Sequence, residues 1–345
     1  MRQLASVQEI AEVQPIEGAD KIEKVRINGW WCVAKKGEFK EGEPCVYFEV
    51  DSLLPESNPA FSFLAKGNSV RSMNVDGKEY QGYRLKTVRL RGQLSQGLAL
   101  PLESFGIGAA VPVGADLTDT LGVVKYEAPI PACLAGKAKG QFPSFIPKTD
   151  EERIQNCPNL LTECANEPLY ITEKLDGSSA TFYKHCGVFG VCSRNLELYE
   201  TEGNTFWEMA RKYDLENVLP DGYALQGEVI GSGIQGNRYN LNGHDVYFFN
   251  LYSIVEGRHC TEEELMRVLE LNDLKMVPYV GSTDSLGMHA LATLLLWAEG
   301  RSALADTARE GLVFRTPGNV MADIGGTRRR LSFKVISNSF LLDNE

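Results

Sequence analysis

The chain has 345 residues, of which 43% are hydrophobic and 23% charged, and a net charge of −11. That length and composition predict an ordinary globular protein of two domains, each large enough for its own core. No apolar run approaches the ~20 residues of a membrane span. The opening Met1-Arg2-Gln3-Leu4-Ala5-Ser6-Val7-Gln8-Glu9 lacks the apolar stretch of a signal peptide.

The acidity is uneven. Residues 1–126 carry 15 Lys+Arg against 16 Asp+Glu, whereas the remainder carries 20 against 30. The first half is therefore nearly neutral and able to present a basic face, while the second concentrates carboxylates that could hold metal. Eight cysteines, at positions 32, 45, 133, 157, 164, 186, 192 and 260, form no Cys-x-x-Cys, and only four histidines are available to complete a zinc site. Reduced thiols in a cytosolic-type, reducing compartment are the expectation.

Along the chain, Lys24-Val25-Arg26-Ile27 and Trp30-Trp31-Cys32-Val33-Ala34 flank Asn28-Gly29, a strong hairpin signal. Further strands are predicted at Cys45–Val50, at Tyr83–Leu90 and at Gly97–Pro101. Five or so short strands with Gly/Pro turns in about 120 residues predict a small barrel. Leu90-Arg91-Gly92-Gln93-Leu94-Ser95-Gln96-Gly97-Leu98 and Gly18-Ala19-Asp20-Lys21-Ile22-Glu23-Lys24-Val25 both resemble segments of OB-fold tRNA-binding modules. Arg84, Lys86, Arg89 and Arg91 form a dense basic group. It reads as a phosphate contact in an OB fold, or as a solvated edge strand.

Residues 127–147 collapse into Pro, Ala and Gly and read as a linker between an OB-type domain (1–126) and a second domain (148–345). Thr149 or Asp150 could cap a short helix that stops before Pro158. Thr261–Leu271 has a capping-box pattern with Glu264 at the third helical position, and Ser285–Glu299 reads as another helix. Strands and helices without a strict βαβ rhythm predict an α+β fold.

The alternating run Leu169-Tyr170-Ile171-Thr172 leads into Glu173-Lys174-Leu175-Asp176-Gly177-Ser178. An apolar run breaking into Asp-Gly predicts a strand that ends in a turn, with Lys174 at a sheet edge near a carboxylate. An unperturbed lysine, of pKa about 10.4, is almost wholly protonated at neutral pH. A nucleophilic Lys174 would need cations, metal or desolvation to lower that value. Taken alone, the hexapeptide reads equally as a surface lysine beside a turn.

The second half continues with Ser193-Arg194-Asn195, Leu225-Gln226-Gly227-Glu228-Val229-Ile230-Gly231 and Val246-Tyr247-Phe248-Phe249-Asn250-Leu251. Then come Glu310-Gly311-Leu312-Val313-Phe314-Arg315 and Leu331-Ser332-Phe333-Lys334-Val335-Ile336. In this order they resemble the six collinear motifs of the covalent nucleotidyltransferase superfamily of DNA ligases, RNA ligases and mRNA capping enzymes. The chain looks most like ATP-dependent RNA ligases with an OB domain before an adenylyltransferase domain of antiparallel sheets and flanking helices. The run Thr149–Asn156 and Ser193-Arg194-Asn195 point to the RNA ligase branch.

The resemblance implies a lysyl-AMP on Lys174, transfer of the adenylate to an RNA 5′-phosphate, and sealing by a 3′-OH. It further implies nicked duplexes with RNA on the 3′-OH side, and a monomer acting in RNA repair. Lys334 would contact the α-phosphate, and Asp176, Glu228 and Glu310 would hold Mg²⁺ or Mn²⁺ directly or through water. Phe249 would stack on adenine, Glu173 contact its edge, Arg194 the ribose or RNA terminus, and Arg153 the pyrophosphate or the metal's outer shell. In isolation, Phe249 reads equally as a core aromatic and Glu228 as a surface carboxylate. Lys334, between Phe333 and Val335, points to the face opposite both.

Two departures stand out. The last motif often carries two lysines separated by one residue, yet positions 332 and 336 are Ser and Ile, so Arg329 or Arg330 is the candidate replacement. The strand motif usually runs Phe-Asp, and here it is Phe249-Asn250. The alternatives are a GTP-dependent capping-type or DNA-ligase-type transferase, and, from another class, a non-catalytic RNA-binding protein.

Overall fold

The computed structural model describes residues 3–66, 68–75, 78–108, 110–126, 137–324 and 326–344. The chain divides into two compact units: residues 1–130 with 155–158 and 341–345, and residues 131–154 with 159–340.

In the first unit, Ile22–Ile27 and Trp30–Lys35 form the expected hairpin, and Glu12–Pro15 adds a third strand. Asn28 takes φ 52 at the turn, the left-handed conformation that Asn tolerates well. The strand Pro44–Phe48 pairs on both sides, with Ala5–Glu9 and with Leu98–Leu100. It is buried on both faces: Val46 and Phe48 join one apolar cluster with Leu54, Phe61 and Tyr83, while Cys45 and Tyr47 join another with Val25, Ile27 and Trp30. Closure of short strands around two such clusters is how a small barrel removes its edges.

The stretch Tyr83–Leu90 is not one strand. It breaks after Arg84 into Lys78–Arg84 and a short hairpin of Val88–Leu90 with Gln93–Ser95, turned by Arg91 (φ 50) and Gly92 (φ 82). The basic group is thereby divided. Arg84 pairs with Asp51 at 2.8 Å and lies over Tyr126, whereas Arg89 and Arg91 are exposed on the hairpin.

The second unit is built on two sheets. A seven-stranded antiparallel sheet runs in the order 138–141, 196–198, 188–192, 178–185, 223–231, 244–253, 258–259. Its edge strand, Ala138–Gln141, comes from the stretch read as linker; residues 127–136 of that stretch lie outside the described residues. A five-stranded sheet runs 152–153, 332–336, 311–315, 169–174, 279–283, antiparallel except for the first pair. The main core lies on one face of the larger sheet, where Phe182, Val246 and Phe248 meet Phe206 and Met209 of one helix and Leu265 and Leu269 of another. Abundant strands with few helices make the whole α+β.

The helix Glu262–Leu271 begins at Thr261 with the predicted capping box. Two other helices differ from expectation. Ser285–Glu299 is a single 3₁₀ turn at Leu286–Met288, an extended His289-Ala290, and a helix over Leu291–Ala298 only. Thr149–Asn156 forms no helix capped by Thr149 or Asp150, because Glu152–Arg153 is drawn into parallel pairing with Phe333 and Lys334. Tertiary hydrogen bonding overrides a local capping signal there.

Candidate active site

The strand Leu169–Lys174 belongs to the smaller sheet, and the strand Ser178–His185 to the larger. Leu175-Asp176-Gly177 is therefore the crossing between the two sheets, and Lys174 sits at the seam. The crossing is tight. A Cβ on Gly177 would stand 2.4 Å from the Val229 carbonyl oxygen and 2.8 Å from Cγ of Glu228, so only glycine brings these backbones together. From a nearby loop, Tyr239 accepts a hydrogen bond from the Asp176 N–H at 2.7 Å, and Arg238 lies 3.7 Å from the Asp176 carboxylate.

Pairing explains why Glu310 meets the lysine. Lys174 is registered opposite Gly311, so the preceding residue's side chain reaches across the strand end. Glu310 Oε1 lies 2.6 Å from Lys174 Nζ. Glu228 enters from the central strand Tyr223–Gly231, opposite Ser179.

Burial pulls the Lys174 pKa down, but Glu310, Glu228 and Asp176 outweigh it and raise the value, so this lysine is held as ammonium. That is the reverse of the lowering expected for a nucleophile, and the physical cause is three acids facing one cation. The acids respond in turn. Burial, reinforced by neighbouring carboxylates, pushes Glu228 up to about 8 and Asp176 up to about 6.

Asp176, Glu228 and Glu310 are hard oxygen donors carrying more negative charge than Lys174 neutralises, and that donor set fits a divalent cation such as Mg²⁺. Among the described residues, no group of three or more His, Cys, Asp or Glu side chains is already placed to hold a metal ion. Mg²⁺ needs none, because it commonly takes one or two carboxylates and completes its shell with water and phosphate.

A second group gathers the cations. Asp150 accepts from Lys334 at 3.4 Å through one oxygen and lies 3.1 Å from Arg194 through the other. Arg194 also contributes to the field at Glu228, which ties this group to the lysine. Arg153 is buried in the short strand registered beside Lys334. The two candidate replacements for the missing lysine lie elsewhere: Arg329 is 3.5 Å from Glu152, and Arg330 is buried near Tyr170, Glu151 and Arg315. Position 332 is a buried Ser and position 336 a buried Ile.

A third group is apolar. Leu175, Ile230, Tyr239 and Val277 are buried together, with Phe249, Leu304 and Ala305 packed against them. Phe249 reaches this cluster through a β-bulge. Gln226 is registered with Asn250 and Gly227 with Phe248, which leaves Phe249 as the extra residue. Phe248 thus points into the main core while its neighbour is re-aimed. Glu173 is 2% exposed; one carboxylate oxygen accepts from the Ala303 N–H at 2.8 Å, and the other has no hydrogen-bond partner among the described residues. A buried orphan acceptor beside an apolar cluster is suited to an amino-bearing heterocycle. Asn250, where the family pattern has Asp, donates to Gln226 at 2.6 Å and sits 3.2 Å from His259, whose pKa burial and Arg330 depress to about 3. A neutral amide suits that neutral, buried chain of polar groups.

Sequence reasoning missed Asp150 as a clamp on two cations, Arg238 and Tyr239 around Asp176, and the Ala303 N–H on Glu173. Only pairing across the fold reveals them, for each lies at least 40 positions from its partner.

Residues 4–102 match an OB-fold domain and residues 167–336 match the RNA ligase family. Among solved structures, a Naegleria gruberi RNA ligase variant without ligand is 40% identical, with a TM-score of 0.88 over 99% of this chain and 97% of that one. A variant of the same ligase with ATP and Mn is 41% identical, with a TM-score of 0.87 over 98% of each chain. A third, with AMP and Mn, is 41% identical with a TM-score of 0.88 over 99% of this chain and 98% of that one. No curated protein sequence matches significantly. The chain belongs to the RNA ligase family, enzymes built here from an N-terminal OB fold and a sheet-rich domain.

Proposed function

We propose that this protein is an ATP-dependent RNA ligase that works through a lysyl-AMP on Lys174. The observation that carries the reading is the contact of the half-buried Lys174 with Glu310 at 2.6 Å, within reach of the charges of Glu228 and Asp176, at the seam of two sheets. The relatives solved with ATP or AMP and Mn support the choice of nucleotide and of a divalent cation.

Adenine packs against the apolar cluster, with Phe249 on its face and the orphan oxygen of Glu173 at its amino edge. Lys334 and Arg194, already gathered by Asp150, meet the phosphates, with Arg153 alongside. Once its ammonium proton is lost to solvent, the Lys174 amine attacks the α-phosphorus, a P–N bond forms with loss of a second N–H proton to solvent, and pyrophosphate leaves with the P–O bond electrons. The adenylate then passes to an RNA 5′-phosphate, and a 3′-OH displaces AMP. Every step is a phosphoryl transfer governed by positioning and charge neutralisation. A divalent ion on Asp176, Glu228 and Glu310 would draw their charge away from Lys174, favouring its neutral form, and would offset charge on the phosphates. The nucleophile is thus protonated at rest and becomes competent only when the acids find another cation.

The substrate is a nicked duplex with RNA on the 3′-OH side, gripped in part by the first domain, residues 1–126, and the catalytic domain spans residues 148–345. Incubation with labelled ATP and Mg²⁺ should leave label on the denatured protein, and Lys174→Ala should abolish it while the protein keeps its native circular dichroism spectrum. Covalent label on the alanine variant, or label from GTP alone, would overturn the assignment.

A further inference from the structure

Arg315 closes the strand that begins beside Glu310, and it is 3% exposed. A buried guanidinium carries a desolvation cost of several kcal/mol unless its surroundings compensate. Three contacts do so: Thr172 accepts from its Nη1 at 3.2 Å, Glu151 lies 3.4 Å from its Nε, and the ring of Phe249 lies under its central carbon at 5.2 Å from the centroid. Glu151 is itself partnered. Burial opposes its ionisation, but Arg315 and Arg330 hold its carboxyl below the usual range. The ion pair accounts for the charge; it does not account for the ring.

Phe249 is the bulge residue, turned away from the core. A bulge leaves its extra residue outside the regular ladder, so the side chain needs a wall to fix it. Arg315 supplies that wall on one face, and the proposed function gives the other to adenine. The arrangement also has an electronic consequence. Two electron-rich π faces repel in a direct stack, and a cation behind one of them offsets that repulsion.

We infer that Arg315 is a positioning residue for nucleotide binding, acting through Phe249 to hold and polarise the ring on which the base stacks. The inference rests on the reading of Phe249 as the adenine platform, and the experiment separates the two.

Single-turnover lysine adenylation across a range of ATP concentrations and direct ATP binding would be measured for Arg315→Lys, Arg315→Met, Phe249→Leu and the two double variants. Arg315→Lys keeps a cation for Glu151 but loses the broad guanidinium face. Both Arg315 variants should raise the Kd and the half-saturating concentration of ATP by about 5- to 10-fold with the saturating adenylation rate within about twofold, a range typical of a desolvated cation–π contact. In the Phe249→Leu background, neither change should add a further loss. If Arg315→Met fails to fold, Arg315→Lys alone decides, because it preserves the charge pair. Unchanged ATP affinity in Arg315→Lys, or losses that multiply with Phe249→Leu, would overturn the role of Arg315. Normal ATP affinity in Phe249→Leu would instead overturn the stacking platform itself.

Discussion

Lys174 shows how one residue's chemistry depends on its neighbours' charge. Folding buries Asp176 and Glu228 beside other carboxylates, and burial first, then those like charges, raises them to about 6 and about 8 even though Lys174 pulls the other way. A carboxyl raised in the folded state favours folding while protonated, and that contribution is lost as pH rises through the folded value. Without a divalent ion, these acids therefore destabilise the fold increasingly from about pH 4, where they ionise in the unfolded chain, until about pH 6 for Asp176 and about pH 8 for Glu228. An ion that binds the ionised carboxylates should reverse that loss where they are charged. The expected outcome is a larger Mg²⁺-induced rise in the unfolding midpoint at about pH 8.5 than at about pH 6. Thermal scans with Mg²⁺ and with a chelator at both values test it; an equal rise would argue against metal binding by this group. The residue types needed for this were legible in sequence, because Lys, Asp and two Glu stand in recognisable motifs. The direction of the lysine's shift was not, since it depends on the 2.6 Å contact with a residue 136 positions away.

Elements explain which side chains could be foreseen. The strand Leu169–Lys174, the hairpin at Asn28-Gly29 and the capping box at Thr261 follow from local signals of period, turn and cap. The bulge at Phe249 follows from none of them. It is defined against the partner strand and is supported by Lys275–Val277, whose backbone bonds to both sides of Phe248. The misread helix at Thr149–Asn156 has the same origin, because pairing with Phe333 and Lys334 decides its conformation. The sheet crossing makes a direct prediction. Gly177→Ala would press a methyl onto the Val229 carbonyl and the Glu228 side chain. Adenylation should fall at least about tenfold, as small displacements of a reacting group commonly cost that much or more. An unchanged rate would mean the crossing has room to relax.

At the scale of the whole molecule, charge is segregated: residues 1–126 are nearly neutral and the rest strongly acidic. A polyanionic substrate is repelled by the second part and needs cations concentrated somewhere. In the first unit, the hairpin Val88–Ser95 exposes Arg89 and Arg91, while Arg84 is occupied by Asp51. Replacing Arg89 and Arg91 together by Ala should weaken binding of a nicked RNA duplex and reduce the steepness of its salt dependence by about 2 in log–log slope. Lysine adenylation, which needs no RNA, should not change. Equal loss in both assays would place these arginines in folding rather than in the RNA grip. Sequence alone foresaw the basic group as a unit; the break after Arg84 divides it.

Asp150 stands between Lys334 and Arg194, one oxygen toward each. On the proposed assignment the resting enzyme carries its own counter-anion, and an arriving triphosphate would displace a tethered acid rather than fill a bare positive hole. Affinity for the incoming phosphates would thereby be moderated, which favours turnover over retention.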